Sequence, residues 1–251
     1  MTNQMTDHKP NKVIRGKRED KILHSAEPEI VNEYSDKIIL VHKPLRWTSA
    51  HTLNVLKREW RIRKAGHAGT LDPMAEGLLV VCTGKMTKKI TAFLDADKEY
   101  EGIIKIGART ESFDTETEEI DRVDTAGVSD DQIEDARKKF TGDILQMPPM
   151  HSALKHKGKP LYKLARKGKE IKREPRAVNV SIFETERISE NEISFRIVCS
   201  KGTYIRSIAN DFGNELGVGG YLKYLKRTRV GEFSLENLDL ISGEVSFRIC
   251  S

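Results

Sequence analysis

Residues 66–77 read GHAGTLDPMAEG, and this glycine-rich segment is the most informative part of the chain. Glycines 66, 69 and 77 allow its backbone to turn tightly and to approach a ligand closely. Pro73 biases the preceding Asp72 away from the helical region and stiffens the segment. A carboxylate on such a loop can act as a nucleophile or can cap backbone amides in a turn, and these features alone favour the turn.

The segments that flank this loop predict regular secondary structure. Residues 37–42 (KIILVH) predict a short strand, which ends before Pro44 because proline has no amide hydrogen to donate. Thr48 or Ser49 can cap a following helix, whose last turn is basic and complements the carbonyl end of the helix dipole. Downstream, residues 78–82 (LLVVC) predict a buried strand. We therefore expect the loop to lie between a basic helix end and a buried strand.

The rest of the chain places long strands and helices in separate stretches, which is typical of an α+β fold. The patterns predict strands over residues 99–106, 178–188, 193–200 and 230–235, and helices over 86–94, 130–140, 161–167 and 204–216. Ser129 is the expected cap of the helix at 130–140, and Gly217 is the expected end of the helix at 204–216.

The composition is that of an ordinary water-soluble protein. Hydrophobic residues make up 37% and charged residues 32% of the chain, and no apolar stretch is long enough to span a bilayer. The first 21 residues contain no apolar core typical of a secretory signal. Cys82, Cys199 and Cys250 are too few and too far apart for a disulfide framework or a zinc site. We therefore expect a cytoplasmic protein without a metal or a membrane partner.

Charge is distributed unevenly along the chain, although the net charge is only +5. Between Lys155 and Arg176 there are ten basic residues against two acids, whereas residues 110–135 hold eleven acids and one base. A second basic run comprises Lys223, Lys226, Arg227 and Arg229. Such segregation can create a positive face for phosphates, although a single charge run is more often a solvated surface. A polyanion partner is therefore about as well supported as a plain charged surface.

The loop also resembles the signature loop of a known enzyme family, and this resemblance changes the interpretation of Asp72. Residues 66–73 are similar to that loop in the TruB family of tRNA pseudouridine synthases. Further blocks resemble the family in the same order: Lys43-Pro44 with 47–49, then 98–100, 148–162, 199–207 and 224–231. The resemblance covers about residues 37–233. Several ordered motifs are far more specific than one pattern alone.

The resemblance implies both a fold and a reaction. We expect the pseudouridine synthase fold, an α+β structure with a large, curved, mostly antiparallel sheet flanked by helices. The implied reaction isomerises uridine-55 in the T arm of tRNA to pseudouridine. The reaction needs no redox change and no energy input, so no cofactor is implied. The target base must be extruded from the folded arm, and the basic runs are expected to bind the RNA backbone by shape.

Three residues are assigned to catalysis by the resemblance. Asp72 corresponds to the essential aspartate, which can attack the ribose, deprotonate the ribose or attack the uracil ring, and the sequence does not choose among these routes. Arg206 matches an arginine that pairs with this aspartate and would keep it ionised and oriented. Tyr204 matches a tyrosine that lies at the base and helps to remove the ring proton. Without the resemblance, Arg206 would be read as a structural residue and Tyr204 as a packing residue.

Four further residues are assigned to substrate binding by the resemblance. Tyr100 matches the aromatic residue on which the flipped uracil stacks. His67 matches a histidine that wedges into the T loop and supports the extruded nucleotide. Lys43 is expected to support the active-site loop or to contact an RNA phosphate. Leu225 is expected to form part of the apolar wall around the base.

The expected organisation is a flexible N-terminal extension over residues 1–36, a catalytic domain over 37–235 and a short tail over 236–251. The tail is too short for the PUA RNA-binding domain of many relatives, so we expect no PUA domain. We expect the affinity for RNA to rest on the catalytic domain alone or to be supplemented by the extension. The chain departs from the family pattern at Ala68, Glu76 and His151. We expect a monomer that acts on the T-arm stem-loop without guide RNA.

Two other functions remain open at this stage. A noncatalytic RNA-binding or RNA-folding protein could use the same scaffold, although the presence together of Asp72, Tyr100, Tyr204 and Arg206 argues against it. A guide-dependent synthase similar to the dyskerin relatives is the second alternative, and the missing PUA domain disfavours it.

Overall fold

The computed structural model describes residues 33–152, 154–238 and 247–250, with the side chains of 155, 156, 237 and 247–250 left out. Every described residue belongs to one compact unit, Asn32–Ser251. The expected flexible extension lies almost wholly outside the described residues. Among the described helices, none is long and apolar enough to cross a membrane.

Runs of strands are interrupted by single helices along the chain. The longer strands are β1 (Ile38–Lys43), β2 (Ala65–Ala68), β3 (Glu76–Thr83), β4 (Lys98–Ile106), β7 (Gly142–Gln146), β10 (Arg176–Ser189), β11 (Glu192–Cys199), β12 (Gly220–Val230) and β14 (Phe247–Cys250). The two-residue strands are β5 (Arg109–Thr110), β6 (Glu119–Ile120), β8 (Lys155–His156), β9 (Lys159–Pro160) and β13 (Phe233–Ser234). The helices are α1 (Ser49–Glu59), α2 (Ile90–Asp95), α3 (Asp130–Lys139), α4 (Leu161–Ala165) and α5 (Ile205–Glu215), and the 3₁₀ helices are Gly84–Lys89 and Leu235–Asn237.

One large sheet organises the molecule. Its strand order is β14-β1-β3-β12-β4-β11-β10-β7, with β2 paired to β3 and β13 paired to β12. In the described part of this sheet every pair is antiparallel except β3–β12, which is parallel. The expected α+β class and the large, mostly antiparallel sheet flanked by helices are therefore confirmed.

Apolar side chains cover both faces of the sheet, which explains why its central strands are so hydrophobic. In β3, Leu79 and Val81 pack with α1, whereas Leu78 and Val80 point to the other face and pack near Val230. This alternation follows from the period of two of a strand. The largest core cluster joins α3 and α5 to β4, β10, β11 and β12. Because both faces of the sheet are covered, the strands whose ends flank the candidate site are held in place.

The helix caps agree with the sequence expectations. The hydroxyl of Thr48 accepts a hydrogen bond of 3.0 Å from the amide of His51 at the start of α1. Ser129 and Gln132 form a reciprocal capping box at the start of α3. These contacts satisfy amides that a helix leaves unpaired at its first turn. Gly217, with a φ of +77°, follows the C-cap of α5 as expected.

Some expected elements were wrong or missing. The 11-residue strand β12 lies in the middle of the sheet, yet its four basic residues made the stretch resemble a solvated surface. The start of the glycine-rich loop is the strand β2, which pairs with β3. The helix expected over 86–94 is split into a 3₁₀ helix and α2, and of the strand expected over 230–235 only Phe233–Ser234 forms a separate strand. Phe247–Cys250 pairs with β1, so the C-terminal segment adds an edge strand.

Candidate active site

The loop that carries Asp72 connects β2 to β3 and is held from several sides. Gly69 adopts a φ of +84°, a conformation that glycine reaches without strain. The hydroxyl of Ser49, on α1, donates to the carbonyl of Leu71 and accepts from its amide at 3.0 and 2.9 Å. The amide of Arg46 donates to the carbonyl of Pro73 at 2.7 Å. The start of α1 and the turn before it therefore hold the backbone on both sides of Asp72.

Asp72 and Arg206 form an ion pair at the centre of the site. The guanidinium Nε of Arg206 donates to Asp72 Oδ2 at 2.8 Å. Its two terminal nitrogens donate to the carbonyls of Ser112 and His151 at 3.0 and 2.8 Å. The Arg206 side chain is 4% exposed, whereas that of Asp72 is 39% exposed. The pairing expected from the resemblance is present, and it fixes one carboxylate oxygen while the group stays open to solvent.

Asp114 is a second carboxylate at the same guanidinium, and the sequence did not single it out. Its Oδ2 lies 3.6 Å from Arg206 Nε, and its Oδ1 accepts from Ser112 Oγ and from the amide of Glu116 at 2.6 and 2.9 Å. Burial raises the pKa of Asp114, and the charge of Arg206 opposes this shift. In the sequence Asp114 is one of eleven acids in a stretch read as loop, and nothing distinguishes it from its neighbours.

Tyr204 lies near the Asp72–Arg206 pair, and Leu225 belongs to the core cluster that also contains Leu71. Tyr204 is the N-cap residue of α5, directly before the helix that carries Arg206. The side chain of Gln146 brackets its backbone, accepting from the Tyr204 amide at 2.7 Å and donating to its carbonyl at 3.0 Å. Burial raises the pKa of the Tyr204 phenol, and the charge of Asp72 raises it further. Leu225 is buried on β12 within the main core cluster.

Tyr100 and His67 reach the site from two different strands. Tyr100, on β4, is partly buried against the main core and stands opposite Arg227 of β12 in the sheet register. Burial raises the pKa of Tyr100, while the charge and a hydrogen bond of Arg227 oppose this shift. His67 lies on β2, and burial together with the charge of Arg227 lowers the pKa of its ring. The imidazole is therefore neutral at neutral pH.

Lys43 is enclosed rather than exposed. It is 0% exposed, and its ammonium donates to the carbonyls of Pro44 and Trp47 at 2.9 and 2.6 Å. Burial lowers the pKa of Lys43 to about 8, although the charge of Asp72 opposes this shift. Of the two roles expected for Lys43, this geometry favours support of the loop, because a fully buried ammonium has no surface for an RNA phosphate.

The second basic run is partly buried or ion-paired within the protein. Arg227 is 1% exposed. Arg229 and Lys223 are engaged in ion pairs with Glu99 and Glu192. Lys223, Lys226 and Arg229 keep some exposure to solvent, so Arg227 is the member of this run that is fully withdrawn. In the first run most of the described basic side chains between 157 and 176 are exposed.

The described residues include no group of three or more His, Cys, Asp or Glu side chains that could hold a metal ion. The groups of the candidate site comprise a half-exposed carboxylate, a buried guanidinium and two tyrosines, and such a carboxylate suits nucleophilic attack or proton removal.

Comparison with known proteins identifies the family. A model described as TruB family pseudouridylate synthase, N-terminal domain, matches residues 57–205. The chain belongs to the TruB family. It is 47% identical over 211 residues to the tRNA pseudouridine synthase B of Chloroherpeton thalassium, which covers 82% of this chain and 88% of that protein. With the enzyme of the same name from Chlorobaculum tepidum it shares 44% identity over 225 residues, 86% of this chain and 93% of the relative.

Solved structures agree with this membership. The chain resembles a chain from the crystal structure of a Cbf5-Nop10-Gar1 complex with a TM-score of 0.63 and 31% identity, over 80% of this chain and 51% of that one. A structure of an H/ACA RNP bound to a substrate RNA matches with a TM-score of 0.60 and 29% identity, over 80% and 50%. This chain thus spans about half the length of those structures. The TruB family chain has the pseudouridine synthase fold, as the resemblance predicted.

Proposed function

We propose that this TruB family enzyme isomerises uridine-55 in the T arm of tRNA to pseudouridine, with Asp72 as the catalytic carboxylate. The observation that carries the proposal is the 2.8 Å contact between Asp72 and Arg206, which orients a carboxylate that remains half-exposed. The relatives named tRNA pseudouridine synthase B, at 44% and 47% identity, support tRNA as the substrate.

The reaction breaks the bond between ribose C1′ and uracil N1 and forms a bond between C1′ and C5. Asp72 attacks C1′, attacks the ring, or removes a ribose proton so that a glycal forms, and its open oxygen serves each of these routes. Tyr204, beside Asp72, assists loss of the proton from C5 once the new bond has formed. The proton that leaves C5 is balanced by one that N1 gains.

The remaining residues bind the extruded nucleotide. Tyr100 stacks on the uracil, and Leu225 closes the apolar side of the pocket. His67 enters the T loop as a neutral ring, which avoids adding charge next to the buried Arg227. Lys43 holds the turn of residues 44–47, and the Arg46 amide of this turn donates to the carbonyl of Pro73 in the loop that carries Asp72. The exposed basic side chains between residues 157 and 176 contact the RNA backbone, where counterion release favours binding.

We further propose that the enzyme acts as a monomer in the cytoplasm, on tRNA alone and without guide RNA. In this assignment residues 1–36 form an extension, 37–235 the catalytic domain and 236–251 a tail. The edge strand Phe247–Cys250 makes that tail part of the sheet.

A direct experiment supplies the purified protein with an unmodified tRNA transcript and maps pseudouridine along it. The expected product is pseudouridine at position 55 alone, and a matched transcript with cytidine at that position should give none. Modification at another uridine would contradict the assigned position. Activity that appears only after a guide RNA is added would contradict the stand-alone enzyme.

A further inference from the structure

Arg227 is a buried guanidinium in the site, and no role assigned so far explains it. It has the largest fully buried side chain of the described residues. Its Nε donates to the carbonyl of Leu78 at 2.8 Å, and a terminal nitrogen donates to the carbonyl of Gly69 at 3.2 Å. Among the described residues it forms no ion pair with a carboxylate. A buried charge without a counter-ion is costly, so the groups that it contacts are informative.

These contacts lie at the two ends of the loop that carries Asp72. Gly69 begins the loop, and Leu78 lies in the first half of β3, the strand that follows the loop. The backbone of Arg227 also pairs with Gly77 through the parallel register of β12 and β3. A Cβ at Gly77 would overlap this backbone, so the approach is as close as glycine permits. One residue therefore fixes both the start and the end of the catalytic loop.

The same guanidinium reaches Tyr100 on the other side. Arg227 and Tyr100 are direct partners in the antiparallel register of β12 and β4. A hydrogen bond and the positive charge of Arg227 act on the phenol and oppose the rise of its pKa. Arg227 thus joins the loop of Asp72 to the aromatic residue proposed to stack on the uracil.

We propose that Arg227 is a positioning residue that sets the spacing between Asp72 and Tyr100. This inference rests on the proposed function and deepens it. Tyr100 orients the base and Asp72 acts on the nucleotide, so their relative position determines whether the reacting atoms align. A guanidinium suits this task because its planar fork presents donors in several fixed directions at once. A lysine ammonium is a point charge and cannot serve both loop ends and the phenol with one geometry.

The first test compares Arg227→Lys with Arg137→Lys. Arg137 is a matched control, since it also donates to a carbonyl of another element, that of Phe183 at 2.8 Å, but on α3 away from the site. Single-turnover release of tritium from 5-tritiated uridine in a T-arm stem-loop measures the chemical step. Arg227→Lys should slow release about 100-fold at saturating enzyme, the loss expected for a misplacement of about 1 Å. Its RNA dissociation constant should change by less than about threefold.

The control variant Arg137→Lys should release tritium at the wild-type rate. Wild-type release by Arg227→Lys, or a loss that appears only as weaker RNA binding, overturns the positioning role. If the wild-type enzyme itself releases no tritium, the proposed function fails. If the wild-type enzyme and Arg227→Lys both release tritium rapidly, the positioning role of Arg227 fails and the proposed function stands.

A second measurement does not depend on the folding of an Arg227 variant or on activity. In Tyr100→Phe the phenol oxygen is removed, so the terminal guanidinium N–H resonances of Arg227 should shift in the nuclear magnetic resonance spectrum. An unshifted resonance overturns the link between the two residues. In a double-mutant cycle, Arg227→Lys should slow the Tyr100→Phe enzyme less than it slows the wild type. Equal effects in both backgrounds also count against the proposal.

Discussion

Two buried arginines contact the catalytic loop, and their environments differ. Arg206 faces two carboxylates, those of Asp72 and Asp114, at 2.8 and 3.6 Å. Arg227 faces backbone carbonyls and a phenol. Carboxylates balance the charge of Arg206, whereas no carboxylate balances the charge of Arg227 among the described residues. Arg206 therefore acts on the charge of the reacting group, whereas Arg227 acts on the position of the chain around it.

Other buried cations follow the second pattern. Lys43 donates to the carbonyls of Pro44 and Trp47, and Lys98 donates to those of Phe93, Leu94 and Ala96. These cations stabilise loops near strand ends by satisfying several carbonyls at once. Cations paired with carboxylates and cations bound to carbonyls should therefore respond differently when their charge is removed.

Loss of Arg206 should have the largest effect. Arg206→Gln leaves Asp72 and Asp114 facing each other without a cation, so tritium release should fall about 100- to 1,000-fold. Removal of one partner from a buried ion pair should also lower the free energy of unfolding by about 3–5 kcal/mol. Quenched single-turnover reactions measure the rate of tritium release, and urea unfolding measures the free energy of unfolding. A variant with wild-type rate and stability would contradict the pairing role of Arg206.

Asp114→Asn should have a smaller effect on rate. Arg206 keeps its contact with Asp72 but loses one charged neighbour, which is worth about 1.5 kcal/mol, or about tenfold in rate. Asp114→Asn should also change the dependence of stability on pH. The pKa of Asp114 is raised, so the folded state binds its proton more tightly than the unfolded state does. The stability of the wild type relative to Asp114→Asn should therefore fall as pH rises above about 4.

Urea unfolding at a series of pH values measures this difference. The account predicts a relative stability that decreases from acid to neutral pH. An increase over the same range would mean that the pKa of Asp114 is lowered by its neighbours, and that Arg206 outweighs burial.

Lys43→Met should change the pH dependence of stability with the opposite sign to Asp114→Asn. The pKa of Lys43 is lowered to about 8 from an ordinary value of 10.5, so between these values the folded state binds fewer protons than the unfolded state. The stability of the wild type relative to Lys43→Met should rise across this window, by up to about 3 kcal/mol. Urea unfolding between pH 7 and pH 11 measures it. A flat or falling difference would contradict a buried, carbonyl-bound ammonium.

Local sequence patterns predicted the elements whose ends are chemically marked. The caps at Thr48 and Ser129 and the stop at Gly217 were found because each satisfies or terminates backbone groups within its own helix. The hairpin of β10 and β11 was found because alternation and a polar turn lie in one continuous stretch. These signals do not require knowledge of distant partners.

The central strand β12 was missed because its environment comes from elsewhere in the chain. Four basic residues make the stretch look solvated, but β3 and β4 enclose it. The burial of Arg227 depends on carbonyls of Gly69 and Leu78, about 150 positions earlier. Tertiary contacts of this kind leave no periodic signal in the strand itself.

The candidate site was predicted in part, and by resemblance rather than by spacing. Asp72 and Arg206 are 134 positions apart, and nothing in the intervening composition indicates that they meet. The matching family motifs supplied that pairing. Asp114 carried no such mark in the sequence, and only the structure reveals that it shares the guanidinium of Arg206.

The central claim is that the carboxylate of Asp72 performs the chemistry. It is tested most directly by tritium release from a 5-tritiated T-arm stem-loop with Asp72→Asn, an almost isosteric change. The account predicts no release above background, while the RNA dissociation constant stays within about threefold of the wild type. Release by Asp72→Asn at the wild-type rate would contradict the account.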